Sequence, residues 1–238
     1  MLNRGEAEAL FGALTEDTPA PGLRVFQPRR GYRYGVEVYA LAGFALGIGA
    51  PAGMARPKSA IELGCGSGVV AFLLAREGVA VRAWDRDPGW IELARLSLAR
   101  SPAATGAVRL SVRDVRDVGR AGGADLVVCN PPWFDPAEGP VAPDPRKAEA
   151  RSMLHGTVQD FVDTALTLAP RVCVVTRAER LASLSLKGAH IARRAWMPSG
   201  GIGLVELRPG EGVTAEEPLD LDAIYAALRA PWRGVRSR

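Results

Sequence analysis

The sequence predicts an α/β domain built on a largely parallel sheet. Three observations lead there. From Lys58 onward, short apolar runs alternate with longer amphipathic stretches at the spacing of βα units. The runs are apolar almost throughout, as strands covered on both faces must be. A chain of 238 residues with 47% hydrophobic content can bury a sizeable core without disulfide support.

Residues 1–50 read as a helical and extended segment packing on a core domain of residues 51–238. "EAEALFGAL" (6–14) suits a short helix, and Pro and Gly mark an extended stretch to about residue 30. The uncharged run Val38–Ala50 is short of the roughly 20 residues needed to span a bilayer. It holds Gly43, Gly47 and Gly49 and reads as a buried helix ending near Gly47. The core then begins with the strand "SAIEL", a glycine loop and the helix "VVAFLLARE". The strand "VAVRAW" precedes the helix "GWIELARLSLARS", with apolar residues at Ile91, Leu93, Ala94, Leu96 and Leu98. "AVRLSV" and "ADLVVC" are the third and fourth strands, "QDFVDTALTLA" a helix and "RVCVVT" the fifth strand. "HIARRAWMP" and "GIGLVELRP" meet at "SGG" with no helix between them, which signals an antiparallel hairpin. "LDLDAIYAALRA" is a last helix. The Pro-rich stretch 131–145 is the one long segment without periodicity and suits a lid or substrate loop.

Composition narrows the function classes. The net charge of +4 admits an acidic partner, although an Arg-rich solvated surface gives the same number. Cys65, Cys129 and Cys173 are odd in number and far apart, which argues against a disulfide framework or zinc site and fits a reducing cytoplasm. Two histidines, His155 and His190, are too few and too distant for a metal site, so no metal is expected. Glu6, Glu8, Glu16 and Asp17 do not suit a signal peptide.

The chemistry concentrates at strand ends. Gly64, Gly66 and Gly68 form a GxGxG turn after the first core strand, where backbone can approach a ligand closely. Asp85 lies 21 residues beyond Gly64, at the end of the second strand. A carboxylate there accepts hydrogen bonds from ribose hydroxyls. Val69 stands where a dinucleotide fingerprint needs its third glycine, so a nucleoside ligand fits better than NAD. No GxxxxGKS/T loop is present. Asp114 ends the third strand and can accept from an adenine amine, with Asp117 nearby. Glu62, inside the first core strand, faces the ligand or pairs with a backbone donor of the glycine loop.

"IELGCGSG", Asp85 and Asp114 in register resemble the class I S-adenosylmethionine-dependent methyltransferases over about residues 58–210. The resemblance implies a Rossmann-like, seven-stranded, mostly parallel sheet closed by an antiparallel C-terminal pair. It places Glu62, Gly64, Gly66 and Gly68 around the methionine part of S-adenosylmethionine, Asp85 at its ribose and Asp114 at its adenine. Asn130-Pro131-Pro132-Trp133, at the tip of the fourth strand beside the cofactor crevice, resembles the motif of methyltransferases acting on planar nitrogens. The Asn130 side-chain oxygen and the Pro131 carbonyl then accept both N–H bonds of an amine. The prolines hold that acceptor pair rigid, and Trp133 offers a face for a base.

Two further stretches are similar to the bacterial tRNA(Val) adenine-N6 methyltransferases: "FQPRRGYRYGVEVYALAGF" (26–44) and "EARSMLHGTVQDFVDTAL" (149–166). Trp133, Glu37 and Ser152-Met153 stand where that family has Tyr, Asp and His-Glu. The resemblance implies an RNA substrate, with tRNA the expected one, and adenine N6 as the methyl acceptor. Protein glutamine or a small amine is the alternative. Arg29, Arg30, Arg33, Arg233, Arg236 and Arg238 are candidate phosphate contacts.

Overall fold

The computed structural model describes residues 2–50, 54–117, 122–134, 137, 148 and 156–232. The chain opens with α1 (Arg4–Phe11), held at its start by a reciprocal capping box between Asn3 and Glu6. The next segment is not merely extended. β1 (Leu14–Asp17) and β2 (Val25–Pro28) pair antiparallel as a separate two-stranded ribbon. α2 (Glu37–Leu46) is buried along nearly its whole length and stops at Gly47, whose φ of 71° is the left-handed C-cap the sequence pattern predicts.

The main sheet follows. Its strands are β3 (Ser59–Leu63), β4 (Ala80–Asp85), β5 (Val108–Val112), β6 (Leu126–Cys129), β7 (Val172–Arg177), β8 (Ala189–Trp196), β9 (Ile202–Pro209) and β10 (Ala215–Glu216). Their order is β10-β8-β9-β7-β6-β3-β4-β5. β3 to β7 run parallel, and β9 is antiparallel to both β7 and β8, as the hairpin signal predicts. The described sheet has eight strands rather than seven. The extra one, β10, is two residues long and polar, so no apolar periodicity announces it. Ion pairs hold it: Arg194 with Glu216, and Arg193 with the adjoining Glu217 at 2.7 Å.

Alternate residues of the strands feed the two faces. Ala60, Val128, Cys173 and Leu204 face α2, α3 (Val69–Arg76) and α7 (Leu221–Leu228). Ile61, Leu63, Val127, Cys129 and Val205 face α5 (Val158–Leu168). α4 (Pro88–Leu98) carries the terminal ribbon. The Ser97 hydroxyl accepts from Phe26 N–H at 2.9 Å, and the Ser101 hydroxyl accepts from Arg24 N–H at 2.9 Å. Those bonds satisfy strand donors that a two-stranded ribbon leaves open.

A buried ionic knot ties the layers together. Glu206 on β9 is fully buried and meets Arg171 at 3.0 Å, Arg193 at 2.8 Å and Arg208 at 2.6 Å. Arg171 also donates to the Ala45 carbonyl of α2 at 2.8 Å. Burial alone raises a carboxyl, but the arginines outweigh it and hold Glu206 below its usual range. α6 (Ala178–Ser183) is a short exposed turn after β7 that the sequence pattern does not predict. No helix among the described residues is long and apolar enough to cross a membrane.

Candidate active site

Three positive-φ glycines shape the turn from β3 to α3: Gly64 at 71°, Gly66 at 50° and Gly68 at 84°. Side chains rarely adopt this region, so the glycine identity is required by backbone shape. A Cβ on Gly68 would also sit 2.9 Å from the Phe72 ring. The Gly66 N–H donates to Asp85 Oδ2 at 2.9 Å, which fixes the loop against the end of β4. Asp85 Oδ1 accepts from Asp87 N–H at 3.0 Å.

Glu62 is buried beneath this loop, and its Oε2 accepts from Ala71 N–H at 2.8 Å in the first turn of α3. The backbone-donor alternative for Glu62 is therefore realised. Burial pushes its carboxyl up to about 8, only partly opposed by that bond. Loss of water likewise pushes Asp85 up to about 6, against the pull of the Asp87 and Gly66 amides. These are two carboxyls without a cationic partner in hydrogen-bond contact, set around one glycine turn.

A cleft opens over the turn, lined by Gly64, Gly66, Asp85, Trp90, Asn130 and Phe161 among others. Asp114 is not part of this lining. Arg116 binds it through Nε at 2.9 Å and Nη2 at 2.7 Å, and Arg116 holds its carboxyl down to about 2. Its neighbours Arg113 and Val115 line the cleft instead.

Asn130 follows β6, and among the described residues its side chain makes no hydrogen bond. It borders the first cleft and also a second one, lined by Tyr32, Arg33, Pro131, Trp133, Phe134, Arg177, Gly200 and Gly201. Among the described residues, only Tyr32 and Asn130 border both. Pro132 lies on the first side, Pro131 on the second. Trp133 is half-buried against the main core, and its indole N–H is enclosed with no hydrogen-bond partner. Phe134, one residue on, is the more exposed ring.

Several of these residues escape sequence reasoning. Tyr32 is placed by the ribbon: Gln27 on β2 is buried and accepts from Tyr34 N–H at 2.9 Å, folding the 29–34 segment back. Trp90 meets Tyr32 edge-on at 6.3 Å between ring centres. Phe161 covers Gly64, 3.1 Å from where a Cβ would stand. Both tyrosine and phenylalanine fall inside the two stretches resembling the tRNA(Val) enzymes, which was the available signal. Arg33 is engaged by Asp17 at 2.9 Å, so it braces the ribbon, whereas Arg29 and Arg30 are exposed. Arg233, Arg236, Arg238, Ser152, Met153 and most of the 131–145 stretch lie outside the described residues.

A sheet of this order, with a glycine turn and carboxyls at the ends of its first two parallel core strands, defines the class I methyltransferase fold. Residues 52–142 match the family model of the methyltransferase small domain. The solved structures agree on the fold. A Pyrococcus horikoshii protein described as a candidate RNA methyltransferase aligns with a TM-score of 0.56, at 16% identity over 77% of this chain and 88% of that one. TrmN of Thermus thermophilus aligns at 0.51 and 23% identity, over 73% of this chain and 52% of that one.

Among curated proteins the chain is similar to tRNA1(Val) (adenine(37)-N6)-methyltransferases. That of Serratia proteamaculans is 32% identical over 100 residues, 40% of this chain and 37% of its own length. That of Photorhabdus laumondii is 28% identical over 141 residues, 56% of each chain. The matches thus span less than two thirds of the length of these relatives.

Proposed function

We propose that the protein is an S-adenosylmethionine-dependent N-methyltransferase acting on the exocyclic N6 of adenine in RNA, with tRNA as the favoured substrate. The observation that carries this reading is the meeting of two clefts at one unpaired amide, Asn130. The residues around the first cleft fit the cofactor. The glycine turn leaves open space beyond Gly66, where a Cβ would meet nothing within 4 Å. Asp85 supplies a carboxyl for ribose hydroxyls, and Glu62 braces the turn from beneath through Ala71 N–H. When bound, S-adenosylmethionine offers a methyl group activated by a sulfonium.

The chain's own residues do the rest by positioning. The Asn130 oxygen and the Pro131 carbonyl accept the two N–H bonds of the acceptor amine. That directs the nitrogen lone pair toward the first cleft, where a bound S-adenosylmethionine would present its methyl group. The methylated nitrogen then releases its proton to water, so no strong base is required. Pro131 and Pro132 preorganise the acceptor pair, which places the catalytic gain in orientation and electrostatics.

Within this reading, Gly64, Gly66 and Asp85 hold the cofactor on a turn shaped by Gly68 and Glu62, and Asn130, Pro131, Pro132 and Trp133 handle the acceptor. Asp114 reaches the adenine ring only by turning from Arg116. Residues 1–50 form a segment packed on the 51–238 methyltransferase domain, supported by α2 lying in the main core. A cytoplasmic location follows from the RNA substrate.

The test is methyl transfer from labelled S-adenosylmethionine to bulk tRNA, followed by digestion to nucleosides. Label in N6-methyladenosine supports the proposal. Label only in protein or small amines keeps the N-methyltransferase and removes the RNA acceptor.

A further inference from the structure

We propose that Phe134, paired with Arg177, is a stacking wall for the acceptor base beside Trp133. This rests on the acceptor cleft as read above and names the residues that grip its substrate. Trp133 lines the same cleft, but its body packs partly against the main core and its indole N–H is buried with no hydrogen-bond partner among the described residues. Phe134 is 37% exposed and is the one aromatic among the large exposed hydrophobics of the described residues.

Arg177, at the last position of β7, places its guanidinium carbon 5.6 Å from the Phe134 ring centre. Its Nε is held by Glu179 at 2.8 Å. A planar guanidinium beside a phenyl ring is a two-part clamp for a flat, polarisable ring. The β8–β9 turn contributes a bare surface to the same cleft. Gly200 and Gly201 both have φ of 71°, and a Cβ on either would meet nothing within 4 Å. The turn is fixed by Ala178 N–H donating to the Gly201 carbonyl at 3.0 Å. The outcome is a slot with an aromatic-cationic wall and a wall free of side chains. It grips a ring by its faces and leaves selection of the base to the acceptor pair at Asn130. Stacking of this kind tolerates every base.

The experiment measures acceptor KM, kcat and S-adenosylhomocysteine affinity with tRNA for the wild type, Phe134→Leu, Phe134→Tyr and Arg177→Gln. Thermal unfolding of each variant checks folding. Phe134→Leu is expected to raise acceptor KM at least about fivefold, the lower end for losing one stacked base. Cofactor-product affinity stays within about twofold, and Phe134→Tyr retains near wild-type KM because the ring is kept. Arg177→Gln raises KM as well, without changing cofactor-product affinity. An unchanged KM in Phe134→Leu, or equal losses in the Leu and Tyr variants, overturns the stacking wall while the methyltransferase reading stands. Absence of transfer from the wild type to any RNA overturns the RNA reading itself, and the base assigned to this slot falls with it.

Discussion

Cofactor affinity is expected to carry the titration of Asp85. Its carboxyl stands at about 6 in the free protein, raised by loss of water. Ribose hydroxyls donate to the ionised form, so the fraction of protein competent to bind halves near pH 6 and shrinks below it. Apparent affinity for S-adenosylhomocysteine therefore falls about tenfold between pH 8 and pH 5. Isothermal calorimetry at constant ionic strength reads this directly. Glu62 is not among the cleft's lining residues and is bonded to Ala71 N–H, so Glu62→Gln keeps this step, whereas Asp85→Asn removes it. A flat wild-type profile from pH 7 to 5, or an undiminished slope in Asp85→Asn, would refute the placement of Asp85 at the ribose. Stability moves the opposite way. The folded state holds the Asp85 proton more tightly than the unfolded chain, so this group's contribution weakens as pH rises from about 4 to about 6. Asp85→Asn is accordingly expected to melt higher than wild type at pH 8 without ligand, trading binding for stability.

Four further outcomes are expected. Asn130→Ala loses at least about 100-fold in methyl transfer while S-adenosylhomocysteine affinity changes little, and wild-type turnover in this variant sinks the acceptor role. Glu206→Ala strands three arginines and costs about 3–5 kcal/mol, read from the urea midpoint. Because Glu206 is held below its ordinary range, its contribution persists above about 4.5 and is lost as pH falls further. Ser97→Ala leaves the buried Phe26 N–H without its partner, at about 1–3 kcal/mol in the same assay. RNA affinity falls steeply with salt, and Arg29→Ala and Arg30→Ala each lower the log–log slope by about 1 if they contact phosphate. An unchanged slope removes them from the interface.

The parallel core was legible because its signals are local and repeated. β3, β4, β6 and β7 are almost pure apolar runs, and the glycine turn and Asp85 sit at fixed places relative to them. The β8–β9 hairpin was legible through Gly200 and Gly201. The terminal ribbon was not. Leu14–Asp17 has one apolar residue beside Thr and two acids, and its pairing with Val25–Pro28 depends on Ser97 of α4 and Ser101 just beyond it, about 70 residues away. β10 rests on ion pairs, which leave no periodic trace. At the site, sequence spacing located Glu62, Asp85 and Asn130, since strand ends of one parallel sheet gather at one edge. It could not show that Asp114 is held by Arg116, or that Phe134 joins Trp133 in lining the second cleft. Those outcomes depend on side-chain direction. Tyr32, Arg177 and Phe161 reach the site from three separate elements, which no short pattern encodes.

The two clefts share Asn130 and Tyr32 as a common border. A single inhibitor can therefore occupy both, with a thioether nucleoside on one side and a purine on the other. The join between its halves needs to be no longer than the methyl bridge of the reaction. Linking at that distance makes the second contact intramolecular, so a weak purine fragment gains from the high local concentration set by the first. Selectivity of such a compound over other enzymes of this fold would come from its purine half, which meets Phe134, Arg177 and the glycine turn of the hairpin.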